Sequence, residues 1–269
     1  MLKRIISSVV GFPLLAIMIY TGDLALKGIL VALSILGMGE IYKAFGKNNT
    51  LNLISYLAVW FYFFFLDLSK GVYLIVFIFV YLIVNLIVMV FDHERTKPVN
   101  AATNIFGFFY VSVMFSAIYL TRMAEYGKYF VWLIFISAWG SDTFAYITGT
   151  TIGRHKLPKK LNSLSPNKTI EGCIGGIIGA GLISAVYALI INRVFNIDKI
   201  NVLFCFVGVS VVGALFSQVG DLVSSAIKRH YKIKDYGKII PGHGGIIDRF
   251  DSILLTAPVI YILIYYILR

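Results

Sequence analysis

The chain has 269 residues, of which 59% are hydrophobic and only 14% charged, with a formal net charge of +11. A water-soluble domain is about a quarter charged, so a single soluble core is excluded and a polytopic membrane protein is indicated. The positive charge suits a face lying against anionic lipid or anionic substrates, with membrane lipids rather than nucleic acid as the expected surroundings. Cys173 and Cys205 sit in apolar stretches, without metal-type spacing or a disulfide framework, and read as small packing residues.

In chain order, apolar segments of the ~20 residues that span a bilayer occupy 5–22, 24–45, 51–67, 71–91, 101–120, 129–150, 171–192, 200–221 and 250–268. Met1-Leu2-Lys3-Arg4 before the first run is like the start of a signal peptide. The run continues to about Tyr20 with no small-residue cleavage site, so a retained span is expected. The third segment is short enough to be tilted or interfacial. Long apolar runs, rather than ten-residue alternations, favour helices over a barrel. The expected fold is all-α: a transmembrane helical protein of about nine spans, with residues 1–128 as N-terminal helices and 129–269 as a catalytic transmembrane region. An odd count puts the termini on opposite sides. The larger share of the 24 Lys and Arg then falls on the N-terminal side, which the positive-inside rule makes cytoplasmic. Much of that excess comes from the loops at 150–170 and 222–249. Those two loops share a side whatever the orientation.

Carboxylates inside membrane segments are costly and become functional candidates by default. Glu40 ends the second segment, Asp142 lies in Trp139-Gly-Ser-Asp-Thr-Phe144, and Asp221 ends Ser217-Gln-Val-Gly-Asp221. For Glu40 the plainer reading is an interfacial or structural carboxylate. Continued as a helix, Gln218, Asp221, Ser225 and Lys228 share one face, a polar stripe that must meet water or protein rather than lipid. Gly172/Gly176 and Gly175/Gly179 are each four apart, a spacing that lets helix backbones approach closely.

Residues 225–251 form a polar, basic, glycine-bearing block that membrane packing does not require. Asp248 and Asp251 are three apart at the start of the last span. They serve either as dipole-compensating caps or as oxygen ligands that join Asp221 around a divalent cation. Gly242-His243-Gly244-Gly245 can turn sharply and bring N–H groups to a ligand, although the Lys-Ser/Thr ending of a P-loop is absent. Lys228, Arg229, Lys234, Lys238 and Arg249 can neutralise phosphates, and Lys168-Thr169, after the Ser165-Pro166-Asn167 turn, can meet a second anion or simply cap the seventh span.

The 225–251 block closely resembles the signature of the phosphatidate cytidylyltransferases, the CDP-diglyceride synthases. Ser225, Lys228, Arg229, Lys234, Asp235, Gly237, Pro241, His243, Gly244, Gly245, Asp248, Arg249 and Asp251 all fit it. Ser165-Pro-Asn-Lys-Thr-Ile-Glu171 and Gln218-Val-Gly-Asp221 are similar to further segments of that family, so the likeness runs from about Trp139 onward. The resemblance implies that CTP and phosphatidic acid give CDP-diacylglycerol and pyrophosphate with Mg2+, in a multi-pass protein of the cell (inner) membrane. It implies Asp221 and Asp248 as metal ligands, with Asp142 or Asp251 in support. Lys168, Lys228, Arg229 and Arg249 would bind phosphates. Ser165, Asn167, Thr169, Ser225, Lys234, Asp235, His243, Gly244 and Gly245 would line the substrate site. A transporter would instead show polar residues at mid-span and an internal repeat, which this sequence lacks. The Asp-Gly-x-x-Ala-Arg pattern of CDP-alcohol phosphatidyltransferases is absent as well. Oligomeric state is left open.

Overall fold

The structure is a computed structural model that describes residues 13, 16, 17, 19–46, 48–67, 71–195, 201–240, 242 and 244–269. Among the described residues there is no β-strand, only isolated bridges of Lys156 with Thr169 and Ile240 with Gly244. Among the described residues seven helices are long and apolar enough to cross a bilayer: α1 (Asp23–Phe45), α3 (Gly71–Phe91), α4 (Pro98–Met123), α5 (Gly127–Thr151), α6 (Ile170–Arg193), α7 (Val202–His230) and α8 (Ile247–Ile267). Helix α2 (Asn49–Phe65) is apolar but shorter, at 17 residues, in keeping with the short third segment. The expected first span, 5–22, falls largely outside the described residues. These helices make the chain a multi-pass membrane protein. It divides into two compact units, Met1–Ser116 with Asp235–Asp248, and Ala117–Lys234 with Arg249–Arg269.

The first unit is built for lipid. On α3 only Tyr81 and Asn85 are buried, while Ile75, Phe79, Ile83, Leu86 and Val90 are exposed. In water such a face would be a liability; against acyl chains it is matched. Its polar residues turn inward instead. Ser55 bonds the Tyr81 hydroxyl at 2.8 Å and donates to the Asn104 carboxamide, which donates to Asn52 at 3.0 Å. Tyr42 donates to the Asn104 carbonyl at 3.0 Å. This network ties α1, α2, α3 and α4 and fixes their register, since a polar group stranded in hydrocarbon is costly. Asn48 caps α2 by accepting the Leu51 N–H at 3.1 Å.

The second unit is held by close backbone approach. A Cβ on Gly172 would meet the Ala145 carbonyl, one on Gly175 the Thr148 side chain, one on Gly176 Ser141, and one on Gly179 the Phe144 ring. All four therefore face α5, which explains the paired four-residue spacings. Helix α7 packs on α6 with serine bonds at its centre: Ser184 donates to the Phe206 carbonyl at 2.8 Å and Ser210 to the Ala180 carbonyl at 3.3 Å. Helix α5 carries a π-helical segment, Ile136–Gly140. Within it, Ser137 donates to the Ser210 hydroxyl at 3.1 Å. Such extra-residue turns often sit at functional sites, and this one directly precedes Asp142.

Candidate active site

The second unit contains a cavity of about 470 Å³ between α5, the loop before α6 and the face of α7. Its wall on α5 is Asp142, Ala145, Tyr146, Gly149 and Thr150. These recur at helical three- and four-residue steps, so one face of one helix supplies them. Asn167, Lys168, Thr169, Gly172 and Cys173 close it from the α6 side, and Gln218 from α7.

The α6 side is organised by local bonds. Thr169 caps the helix by accepting the Gly172 N–H at 3.1 Å, so it is both a cap and a cavity residue. Both oxygens of Glu171 accept the His155 N–H at 3.1 Å, and Oε1 pairs with the His155 ring at 2.5 Å. Lys156 donates to the Pro166 carbonyl at 3.0 Å, and Ser165 accepts the Lys168 N–H at 3.3 Å through its backbone carbonyl. The loop thus folds back on itself and presents Lys168 beside the N-terminus of α6. A helix N-terminus with an adjacent cation favours an anion.

Helix α7 runs unbroken to His230, so Gln218, Asp221, Ser225 and Lys228 do share a face. Gln218 donates to the Cys173 carbonyl at 2.8 Å and to the Ser141 hydroxyl at 3.2 Å. Asp221 forms an ion pair with Lys168. From α8, Ser252 donates to Asp142 at 3.5 Å, and its N–H donates to Asp251 at 2.9 Å. A Cβ on Gly220 would meet the Asp251 carbonyl and Ser252, which brings α8 close against α7 at this level. The three aspartates act on one another electrostatically: Asp142 feels Asp221, and Asp251 feels both. Lys168 offsets the charge of Asp142, and Lys228 that of Asp251.

The remaining expected residues lie as follows. Arg229 follows Lys228 in the last turn of α7, and Lys234 is exposed just beyond it. Arg249 is exposed on the first turn of α8. Asp235, Gly244, Gly245 and Asp248 belong to the first unit. There Asp248 Oδ2 accepts the Tyr236 N–H at 2.8 Å and the Gly245 N–H at 3.0 Å. Gly244 has φ +91°, a conformation that favours glycine. Pro241 and His243 lie outside the described residues. Tyr146 and Thr150 were not anticipated, although their spacing from Asp142 is a readable signal. Cys173, read as a packing residue, also lines the cavity, and Ser252 carried no signal.

A model of the cytidylyltransferase family matches residues 2–267. The chain belongs to the cytidylyltransferase family. Within this family it is 38% identical over 175 residues to the phosphatidate cytidylyltransferase of Staphylococcus saprophyticus, a match covering 65% of this chain and 63% of that protein. The phosphatidate cytidylyltransferases of Staphylococcus haemolyticus and Staphylococcus epidermidis match over the same shares at 38% and 39% identity. The chain thus aligns with somewhat under two thirds of the length of these relatives.

Proposed function

We propose that this member of the cytidylyltransferase family is a phosphatidate cytidylyltransferase: CTP and phosphatidic acid give CDP-diacylglycerol and pyrophosphate. The observation that carries the reading is the cavity of the second unit, where Lys168 at the α6 N-terminus and Asp142 share the lining, Asp221 pairs with Lys168, and Ser252 bonds both Asp142 and Asp251. Cations and carboxylates at one membrane-embedded site suit a reaction between two phosphate anions. The names of the relatives support the same activity.

In this reading an oxygen of the lipid phosphate attacks the α-phosphorus of CTP in line. The new P–O bond forms as the bond to pyrophosphate breaks, and pyrophosphate leaves with the electron pair. The attacking phosphate is already anionic near neutral pH, so no strong general base is required. The work of the protein is to align the reactants and to offset their repulsion. Lys168, Lys228, Arg229 and Arg249 supply positive charge, and Ser165, Asn167, Thr169, Ser225 and Lys234 supply polar contacts. Asp235, His243, Gly244 and Gly245 complete the substrate-binding set.

The donor chemistry fits Mg2+. Among the described residues no three acidic, histidine or cysteine side chains form a ready-made cage. A site of that kind is not needed: Mg2+ usually binds through one or two carboxylates, with substrate phosphates and water completing its shell. Asp221 would hold it with Asp142 or Asp251, and Asp248 remains a further proposed ligand. When bound, the ion would neutralise charge on the triphosphate. A topology of about nine spans would add α2 and the largely undescribed segment 5–22 to the seven long helices, and the charge bias favours the N-terminus and both polar loops on the cytoplasmic side of the cell (inner) membrane. Residues 129–269 would form the catalytic region.

The test is incorporation of radiolabelled CTP into lipid by purified protein in detergent with phosphatidic acid. Label appearing in CDP-diacylglycerol is the expected result. No incorporation by well-folded protein supplied with Mg2+ would refute the reading.

A further inference from the structure

Glu40 has no part in the roles above, yet it is a buried carboxylate of the first unit with both oxygens bonded. It lies on α1 and is 4% exposed. A buried carboxylate is costly unless its oxygens are paired. Here both are: Oε1 accepts the Ile246 N–H and Oε2 the Ile247 N–H, each at 3.0 Å. Those N–H groups open α8 and carry the positive end of its dipole.

The segment before α8 is shaped around this side chain. A Cβ on Gly237 or on Gly245 would run into the Glu40 carboxylate. Asp248 holds the same segment from its other end, through the N–H groups of Tyr236 and Gly245. Two carboxylates therefore fix four N–H groups between residues 236 and 247. Those donors are already engaged, so binding of substrate phosphate falls to the cationic side chains rather than to the start of α8.

We propose that Glu40 is a positioning residue for cytidylyl transfer. From α1 it clamps the 235–248 segment, which carries Asp235, Gly244, Gly245 and Asp248, and it touches no substrate itself. Its catalytic consequence rests on the function proposed above; the clamp does not.

Glu40→Ala and Glu40→Gln are compared with wild type by CTP incorporation, thermal stability in detergent, and hydrogen exchange at the Ile246 and Ile247 amides. Glu40→Ala is expected to lose about 100-fold in kcat, the scale of a small misplacement of reacting groups, with faster exchange at both amides. Glu40→Gln keeps the shape and one acceptor, so it should fall between, and it carries the test if Glu40→Ala does not fold. Gly237→Ala should also lower kcat, yet add little on top of Glu40→Ala, because the crowding needs the full-length side chain. Wild-type kcat in Glu40→Gln with unchanged exchange would overturn the proposal. So would a drop in melting temperature with kcat per folded molecule unchanged. If the wild-type protein transfers no cytidylyl group, the functional reading fails; the clamp then stands or falls on the exchange of the two amides alone.

Discussion

Lys168 and Asp221 are joined in an ion pair that links the residue before the α6 cap to the polar face of α7. Both side chains are part-exposed, 24% and 30%. An ion pair of that exposure contributes only about 0–1 kcal/mol to stability. The pair is thus poorly explained as a fold-stabilising device and well explained as a charge arrangement waiting for an anionic partner.

Removing either member should therefore cost activity far more than stability. Asp221→Asn and Lys168→Met are each expected to lower turnover by about 100- to 1,000-fold, the range seen when one preorganised electrostatic group is lost. Their melting temperatures in detergent should stay close to wild type. Near-normal turnover in Asp221→Asn would remove that residue from the proposed metal site.

Chelation should stop the reaction. Lys168 pairs with Asp221 and Ser252 bonds both Asp142 and Asp251, so carboxylates gather where a divalent cation is a natural counter-charge. Incorporation of CTP label is expected to vanish in excess EDTA and return on adding Mg2+. Full activity after exhaustive chelation would contradict the metal assignment.

The glycine face of α6 should tolerate no side chain where it meets α5. In Gly176→Ala the new Cβ would lie 2.7 Å from the Ser141 carbonyl oxygen, so backbone must move. Overpacking of this kind costs about 1–3 kcal/mol. Gly208 on α7 is the control, since nothing lies within 4 Å of its Cβ position. Gly208→Ala is expected to be neutral or to gain up to about 1 kcal/mol from helix propensity. Thermal unfolding of the two variants in one detergent decides between these outcomes.

Single cysteines at 165 and 228 should react from the same side of the membrane. The two polar loops together supply the proposed site, so labelling with an impermeant thiol reagent in oriented vesicles should mark both or neither. The native Cys173 and Cys205 are replaced by Ala in these variants. Opposite-side labelling would dismantle the proposed topology and the proposed site together.

Much of this molecule is readable one helix at a time. The crossing helices follow from apolar length alone, and the stripe of Gln218, Asp221, Ser225 and Lys228 follows from helical period. The cavity face Asp142, Ala145, Tyr146 and Gly149 has the same period, so Tyr146 was within reach of the same reasoning. Long-range pairings are different. Glu40 bonds N–H groups 206 and 207 residues away. Neither Gly237 nor Gly245 betrays in sequence that the space beside it belongs to a glutamate from α1. Likewise Thr169 reads equally well as a cap or as a ligand contact, and it serves as the first while lining the cavity. The π-helical segment of α5 leaves no compositional trace, because it depends on what each half of the helix must face.

That last feature governs register along α5. Each residue of an α-helix advances the side-chain direction by about 100°, and a π turn holds one residue more than its α counterpart. Ser137 can consequently point at Ser210 while Asp142 points into the cavity. Deleting one residue from Ile136–Gly140 would rewind the segment and swing every later side chain by roughly a quarter turn or more, carrying the aspartate away from Ser252 while leaving the helix equally long and equally greasy. The insertion behaves as a phase shifter, and a shortened α5 would look intact by every measure of hydrophobicity while aiming its chemistry at lipid.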